Sequence, residues 1–340
     1  MLLAALTSAH AQFTAGNLVV LREGTGSAAL TSAGTAVFLD QYTTAGTFVN
    51  NVLIPTTGSS ALVNSGTAAS EGALTRSADG QYLVVAGYNV AAGTTGVASG
   101  AAPRALGTVD ASGHYSLAAT TTSFFSANNI RSGTTDGNGN FWAAGANSGA
   151  VYMGTGTAAA ASTTSANNRV IQDIGGNLYF STGSGTRGIY SIAGTPTTAG
   201  NVATLMFATG GSSSPYDFAF NTGLTLAYVA DSGTGIQRYD FNGTSWALTY
   251  TLDSGTGVDG LAVDFSGANP VIYATTTTGT SLIGITDTGV GSTATTLATA
   301  AANTAFRGLD FAPQAVPEPT SLSLAALAGV AALVSLRRKA

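Results

Sequence analysis

Residues that commonly carry out nucleophilic catalysis are scarce in this sequence. A Ser-His-Asp relay needs a histidine beside an activated serine, yet downstream of His10 only His114 is available, next to Gly113 and Tyr115. No Gly-x-Ser-x-Gly elbow is present, and Gly183-Ser184-Gly185 is typical of a turn. The absence of cysteine excludes disulfides, thiolate nucleophiles and thiolate metal sites. The sequence therefore contains no complete set of residues for nucleophilic catalysis.

One short segment has the composition of a calcium-binding loop, Asp136-Gly137-Asn138-Gly139-Asn140. An EF-hand loop, however, has a bidentate glutamate at its twelfth position, and no glutamate stands there in this sequence. Asp, Asn and Gly are also the residues that form tight turns without any metal. We interpret the segment as the connection of a β-hairpin.

Aromatic residues suggest a different kind of site. The faces of aromatic rings pack against the apolar faces of pyranose rings, so a group of them at the surface would bind sugars. The candidates are Trp142, Tyr152, Tyr179, Tyr190, Trp246 and Tyr250. We expect most of these side chains to pack inside the fold instead.

The charge of the chain excludes nucleic acid as a partner. Only 8% of the 340 residues are charged, the formal net charge is −5 and the isoelectric point is near 4.8. Nucleic-acid binding needs clustered Lys and Arg on the folded domain. Three of the eleven basic residues instead stand together at the C-terminal end, at positions 337–339, so the remainder of the chain is more acidic still.

The composition favours an all-β fold. Helix surfaces need charged residues, which this chain lacks. β-Branched Thr, Val and Ile favour a pleated backbone, and the 45 glycines, together with Asn and Ser, provide the positive φ angles of tight turns. A chain of this length can hold one large β domain or two average ones.

A weak repeat runs through the middle of the chain. Each copy has a small or acidic residue with Gly, an apolar strand, a turn and a second apolar strand, most clearly in 217–230 and 259–274. The turn glycines 80, 139, 176, 223 and 267 are 59, 37, 47 and 44 residues apart. Periods near 40 to 50 residues are typical of β-propeller blades, whereas a β-helix repeats at about half that interval or less. The wide first interval predicts an insertion around Ala91 to Ala102.

The two ends of the repeat region complement each other. Ala305 to Phe311 begins a further copy of which only one strand is present. Near the N-terminus, three predicted strands lack a first partner: Asn17 to Arg22, Val37 to Tyr42 and Phe48 to Ile54. We therefore predict a six-bladed β-propeller over residues 12–313, with seven blades as the alternative. The last strand would complete the first blade and remove the exposed edges.

In its later half the repeat resembles the NHL-repeat and gluconolactonase-type propellers, on the residues Tyr228-Val229-Ala230-Asp231-Ser232-Gly233 and Ile236-Gln237-Arg238-Tyr239-Asp240. The resemblance supports the fold, but propellers include hydrolases, lyases, oxidoreductases and binding platforms alike. In a gluconolactonase-like enzyme, carboxylates where the blades begin would join Glu and Asn ligands around Ca²⁺ or Mg²⁺. The candidate metal ligands here are Glu71, Asp217 and Asp259, with Arg131 and Arg307 near the same rim.

A structural role is the alternative for these three acids. Carboxylates at such positions also accept hydrogen bonds from backbone amides and hold the turn between blades, and no compact run of acidic ligands is visible. The sequence therefore favours a non-enzymatic surface or matrix protein without a cofactor, which binds polysaccharide or another protein. An exported metal-dependent hydrolase or lactonase, with calcium in the channel, is the alternative, and a structural spacer is a third possibility.

The N-terminus has features of a signal peptide. Met1 to Leu6 is apolar, and Ala9-His10-Ala11 precedes Gln12. Signal peptidase accepts small residues at these two spaced positions, so we predict a signal peptide over 1–11 that is cleaved after Ala11. Because no Lys or Arg precedes the short apolar run, we expect the true start to lie upstream of Met1. The alternative is an ordinary buried N-terminal segment.

The C-terminal end contains three signals in a fixed order: Val316-Pro317-Glu318-Pro319, an uncharged apolar stretch and Arg337-Arg338-Lys339. Proline keeps the first segment extended and accessible to an enzyme. The apolar stretch falls short of the roughly 20 residues that cross a bilayer comfortably, and the basic cluster would hold its end on the cytoplasmic face. We predict a sorting tail over 314–340 with a short hydrophobic transmembrane helix at about 321–336.

This order resembles the PEP-CTERM sorting signal over Val316 to Ala340. The resemblance implies that exosortase, a transpeptidase-like membrane enzyme of Gram-negative bacteria that make extracellular polysaccharide, recognises Pro317, Glu318 and Pro319. It also implies an exported protein that is anchored transiently in the inner membrane and then reaches the cell surface or matrix. A plain anchor helix that is never processed is the alternative.

Overall fold

Strands and turns make up the part of the chain that the computed structural model describes, residues 12–253 and 255–315. The strands are β1 (Leu18–Glu23), β2 (Gly34–Thr35), β3 (Val37–Tyr42), β4 (Phe48–Leu53), β5 (Asn64–Ser65), β6 (Leu74–Arg76), β7 (Tyr82–Tyr88), β8 (Arg104–Asp110), β9 (Tyr115–Thr121), β10 (Ile130–Thr135), β11 (Phe141–Gly145), β12 (Ala150–Tyr152), β13 (Ala159–Ser162), β14 (Asn168–Ile174), β15 (Asn177–Thr182), β16 (Gly188–Ile192), β17 (Thr204–Ala208), β18 (Pro215–Phe220), β19 (Leu226–Asp231), β20 (Gly235–Phe241), β21 (Trp246–Leu252), β22 (Val258–Asp264), β23 (Val271–Thr276), β24 (Ser281–Thr286), β25 (Thr295–Thr299) and β26 (Ala305–Phe311).

These strands form a six-bladed β-propeller, as predicted. Each blade is a four-stranded antiparallel sheet: β26-β1-β3-β4 is blade 1, and β6–β9, β10–β13, β14–β17, β18–β21 and β22–β25 are blades 2 to 6. A small extra sheet pairs β2 with β5. The first strands of neighbouring blades contact one another, so they surround the central axis, and the fourth strands lie outermost.

The first blade joins the two ends of the propeller. Strand β26 pairs antiparallel with β1, from Leu18 opposite Phe311 to Glu23 opposite Ala305. The C-terminal strand therefore completes a sheet whose other three strands come from the N-terminus. This closure and the count of six blades are both confirmed.

The long segment 89–103 between β7 and β8 is the predicted insertion. Buried Arg104 holds it in place, because its guanidinium group donates hydrogen bonds to the carbonyl oxygens of Ala98, Gly100 and Ala102, and to that of Asn128. A buried charge is stable only with such partners. The insertion is thus an ordered part of blade 2.

The hydrophobic core lies between adjacent blades. One cluster, for example, joins Val170, Tyr179 and Ile189 of blade 4 to Phe218 and Val229 of blade 5. Alternate strand residues face the two neighbouring blades, which explains why nearly continuous apolar runs such as Leu226–Asp231 occur in second strands.

Several predicted features of the two termini lie outside the described residues. The predicted signal peptide at 1–11, with Ala9 and Ala11, lies outside the described residues, as do the predicted helix at about 321–336 and the sorting residues Val316, Pro317, Glu318, Pro319, Arg337, Arg338 and Lys339. Within 12–253 and 255–315, no helix is long and apolar enough to cross a membrane.

Candidate functional site

Five inner strands carry a polar side chain close to their first residue. The second residues of β10, β14, β18 and β22 are Arg131, Arg169, Tyr216 and Asp259, and the third residue of β26 is Arg307. In each of these blades the pairing with the neighbouring strand shifts register at this point. A β-bulge bends the strand and redirects a side chain, so the repeat itself places one polar group per blade near the axis.

Hydrogen bonds between blades fix the backbone at this level. The hydroxyl of Ser132 donates to the carbonyl oxygen of Arg169 at 2.9 Å. Likewise, Ser181 donates to the carbonyl of Tyr216, and Thr275 donates to that of Arg307. The backbone that carries Arg169, Tyr216 and Arg307 is therefore hydrogen-bonded to the neighbouring blade, which limits how far these side chains can move.

The side chains converge on one cavity at the mouth of the central channel. Glu71, Arg169, Tyr216, Asp259 and Arg307 all line it. Four of them come from the inner strands of blades 1, 4, 5 and 6, and Glu71 lies in the loop that leads into blade 2, so the cavity is at the axis. The space that water-sized molecules can enter is about 10 Å³, which is on the order of one water molecule. We call these five residues the channel-mouth site.

One of the arginines forms a buried ion pair. The Nε of Arg307 lies 2.9 Å from Oε2 of Glu23, which is completely buried at the end of β1. Burial raises the pKa of Glu23 above its ordinary value, and the charge of Arg307 opposes this shift. The pair connects β1 with β26 and so contributes to closure of the ring.

The other two arginines have no carboxylate partner in the described residues. Arg131 donates through Nη1 to the carbonyl oxygen of Asn168 at 2.9 Å and to the side chain of Asn167. Arg169 donates to the hydroxyl of Tyr216 and lies over its ring, with 4.4 Å from the guanidinium carbon to the ring centroid. Burial and the neighbouring charge of Arg169 lower the pKa of Arg131 to about 10. Two guanidinium groups are therefore close together without a counter-charge in contact.

Two acids complete the channel-mouth site. Asp259 accepts hydrogen bonds from Ser232 at 2.5 Å and Thr277 at 3.1 Å, and burial raises its pKa. Glu71 accepts from the backbone amide of Ser65 at 2.8 Å and from the hydroxyl of Tyr88 at 2.6 Å. Burial raises the pKa of Glu71 to about 7, although these donors oppose the shift.

Asp217 lies apart from the cavity. It is buried between blades 4, 5 and 6, where it accepts hydrogen bonds from the amides of Leu261 and Phe218 and from the side chain of Gln172. Desolvation raises its pKa well above the ordinary value. The structure thus brings Glu71 and Asp259 to one cavity and leaves Asp217 outside it. In the described ranges, no three His, Cys, Asp or Glu side chains are grouped closely enough to hold a metal ion.

The remaining sequence candidates are spread over the molecule. His114 is at an exposed turn, with its Nδ1 3.3 Å from Asp110. The segment 136–140 is the hairpin connection between β10 and β11, as predicted, and Asp136 accepts hydrogen bonds from the amides of Asn138 and Asn140. The six aromatic candidates are divided among blades 3, 4 and 5, where they contact residues of their own or of the neighbouring blade: Trp142, Tyr152, Tyr179, Tyr190, Trp246 and Tyr250.

Sequence reasoning missed Arg169, Tyr216 and Glu23. A signal for the first two exists, because Arg131, Arg169, Tyr216 and Asp259 stand seven or eight positions before the turn glycines 139, 176, 223 and 267. Aligning the repeat backward from these glycines would have found them. Glu23 gives no such signal, because it reaches the site only when β1 pairs with β26.

Comparison with known proteins identifies the tail. Residues 315–339 match the PEP-CTERM protein-sorting motif. This confirms the resemblance and indicates an exported protein with a C-terminal membrane anchor that exosortase processes. No curated protein matches the sequence.

Solved structures with the same architecture are distant. A candidate 6-phosphogluconolactonase from Bacteroides uniformis is 13% identical, covers 83% of this chain and 82% of its own, and has a TM-score of 0.49. A gluconolactonase from Xanthomonas campestris is 10% identical, with coverage of 82% and 85% and a TM-score of 0.40. A functionally unknown protein from Desulfotomaculum acetoxidans is 15% identical, with coverage of 86% and 89% and a TM-score of 0.45. Likenesses at this level carry no inference about activity.

Proposed function

We propose that this protein is an exported, non-enzymatic binding propeller, delivered by its sorting tail to the cell surface or extracellular matrix, and that the channel-mouth site binds its ligand. One observation carries the proposal: five polar side chains, four from the inner strands of different blades and one from a loop, converge on a single cavity at the axis. Concave sites on which a few polar groups converge are the usual positions of ligand binding.

The chemistry of the site favours binding over catalysis. It contains hydrogen-bond donors on Arg169, Arg307 and Tyr216 and acceptors on Glu71 and Asp259, a mixture that suits a hydroxylated and charged ligand. A nucleophile with an adjacent base is not among these residues. The alternative, a metal-dependent hydrolase or lactonase with calcium in the channel, needs several oxygen ligands around one cation, and Asp217 lies outside the cavity.

The sorting tail suggests where the ligand is met. Signal peptidase and exosortase would process the two ends, and the propeller would then face secreted polysaccharide or another surface protein of a Gram-negative bacterium. The net charge of −5 would repel an acidic polymer, but only weakly, because just 8% of the residues are charged.

The test is binding of the purified protein to extracellular polysaccharide from its own host. Asp259→Asn removes a charge from the channel-mouth site, and Asp110→Asn removes one from a distant turn as the matched control. We expect the first substitution to lower the affinity about tenfold, because a charged hydrogen-bonding group is lost, and the second to leave it unchanged.

Two results would count against this function. If the wild type, Asp259→Asn and Asp110→Asn bound the polysaccharide with equal affinity, the channel-mouth site would not be the binding site. Hydrolysis of a sugar lactone by the wild-type protein, abolished by a calcium chelator, would favour the enzymatic alternative instead.

A further inference from the structure

Three guanidinium groups and three carboxylates lie at or near the channel mouth, but in the described residues they form only one ion pair. Three guanidinium groups, of Arg131, Arg169 and Arg307, lie at or beside the cavity, and Arg131 and Arg307 are only 7% and 8% exposed. Glu23 pairs with Arg307, which leaves Asp259 and Glu71 for the other two arginines. Neither acid contacts them within ion-pair distance in the described residues, and the pKa of Glu71 is about 7, so it is only partly ionised at neutral pH.

Two hydrogen-bond donors at this place also lack a partner. The Nε atoms of Arg131 and Arg169 are buried and make no hydrogen bond in the described residues. A buried donor or charge without a partner is costly, of the order of a few kcal/mol. Burial and, after it, the neighbouring charge of Arg169 lower the pKa of Arg131, so both disfavour its charged form. An arrangement of this kind is stable when an anion occupies it.

We propose that the channel-mouth site binds the oxyanion group of an acidic sugar, in the first instance the carboxylate of a uronic-acid residue. The inference rests on the proposed function and names the class of ligand. The carboxylate accepts from Arg169, in the field of Arg131 and Arg307, since a guanidinium group matches the geometry of a carboxylate. Hydroxyl groups of the same sugar donate to Asp259, which explains an acid beside the arginines.

The size of the cavity determines how such a ligand lies. Its free space of about 10 Å³ is on the order of one water molecule, so it admits one oxygen atom of the anionic group but not a sugar ring. The ring therefore remains above the mouth, next to the partly exposed side chains of Arg169, Tyr216 and Asp259. A sugar unit of a polymer can bind in this way without any widening of the channel.

Isothermal titration of the full-length protein tests the proposal with three probes: glucuronate, glucose and inorganic phosphate. We expect glucuronate to bind and glucose, which has the same ring without the carboxylate, to bind at least tenfold more weakly. Binding of phosphate without glucuronate would overturn the uronic-acid assignment and point to phosphate substituents on the polymer. Binding of neither anion would overturn the proposal.

Arg169→Gln is the decisive variant. It removes the guanidinium group that is partly accessible in the cavity, and we expect it to weaken glucuronate binding at least tenfold. Arg76→Gln is the matched control, because Arg76 also belongs to an inner strand, as the last residue of β6, but does not line the cavity. If both substitutions weakened glucuronate binding equally, the loss would reflect only the lower positive charge of the protein. That result would overturn the assignment of the channel-mouth site.

Folding and function are separated by two further measurements. If Arg169→Gln does not fold, Arg169→Lys takes its place, because lysine retains the charge but lacks the planar pair of donors. Arg169→Lys should bind glucuronate more weakly than the wild type does, but still measurably. Host polysaccharide that binds wild type and Arg169→Gln equally would overturn the oxyanion inference and leave the binding function intact. Polysaccharide that binds neither protein would remove the binding function as well.

Discussion

Glu71 shows how a single buried residue couples the site to pH. It accepts hydrogen bonds from the amide of Ser65 and from Tyr88, yet the loss of water around its carboxyl group is the larger effect and raises the pKa to about 7. In an unfolded chain the same group titrates near 4.5. The folded state therefore retains a proton that the unfolded state releases between these two values.

The sign of the resulting pH dependence follows directly. The contribution of Glu71 to the free energy of unfolding is complete below about pH 4.5 and is lost as the pH rises through 7. In Glu71→Gln the side chain stays neutral, so this loss disappears. Between pH 4.5 and pH 8 we expect the stability of the wild type to fall relative to the variant by up to about 3 kcal/mol.

Urea unfolding of both proteins at the two pH values measures this difference. Asp264→Asn is a useful control, because hydrogen bonds from Ser266 lower the pKa of Asp264. Its contribution has the opposite sign, present at higher pH and lost as the pH falls through the lowered pKa. A difference between wild type and Glu71→Gln that did not change with pH would contradict the raised pKa.

At the scale of elements, the pairing of β1 with β26 closes the ring, and the ion pair between Glu23 and Arg307 lies at one end of that pairing. Both side chains are buried. Glu23→Gln leaves Arg307 charged without a counter-ion, and we expect a loss of about 3 kcal/mol or more in the free energy of unfolding. Denaturant unfolding near neutral pH measures it.

The comparison with an exposed pair makes this prediction specific. Asp240→Asn breaks the ion pair of Asp240 with Arg238, where both side chains are partly open to solvent, and should cost less than about 1 kcal/mol. The double variant Glu23→Gln, Arg307→Gln removes both buried charges and should recover much of the loss. Equal effects of the buried and the exposed substitutions would show that the closing pair contributes little.

Elements of the fold were predictable because their signals are local. The apolar segments at 37–42 and 305–311 were predicted with the bounds that the structure has, and 48–54 differs by one residue. Burial between blades requires apolar side chains along each strand, and tight turns require glycine. Both strands and turns can therefore be predicted from short segments of the sequence. The extra pair of β2 and β5 was missed because each strand has only two residues.

The channel-mouth site was harder to predict, because its residues come together only when distant parts of the chain have folded into adjacent blades. Of the residues singled out in the sequence, Glu71, Asp259 and Arg307 line the cavity, whereas Asp217 is buried between blades, and Arg169 and Tyr216 were overlooked. Which of these side chains meet depends on the register shifts of several inner strands and on closure of the ring. These are long-range properties that no short segment encodes.

At the scale of the whole molecule, the fold and the sorting signal are separate parts of the chain. Every blade strand lies between Leu18 and Phe311, and the sorting motif matches 315–339. Changes in the motif therefore should not affect the propeller. The binding face and its delivery can be altered independently, which allows each to be tested without the other.

Replacement of Pro317, Glu318 and Pro319 by alanine tests delivery. Alanine allows a helix where proline keeps the backbone extended, and it removes the residues that exosortase is expected to recognise. We expect the variant to remain full-length in the membrane fraction of its native host, while the wild type appears outside the cell in a form that ends near Pro319. Intact-mass analysis of the two fractions locates both termini.

The control is a change of similar size just before the motif, Gln314→Ala, whose side chain is exposed and whose amide bonds to Gly80 through the backbone only. It should be released like the wild type. Release of the triple alanine variant in the same amount and with the same mass would overturn the sorting role of these residues. A wild-type chain found only at full length in membranes would instead make the tail a permanent anchor, and the propeller would then meet its ligand while tethered to the membrane.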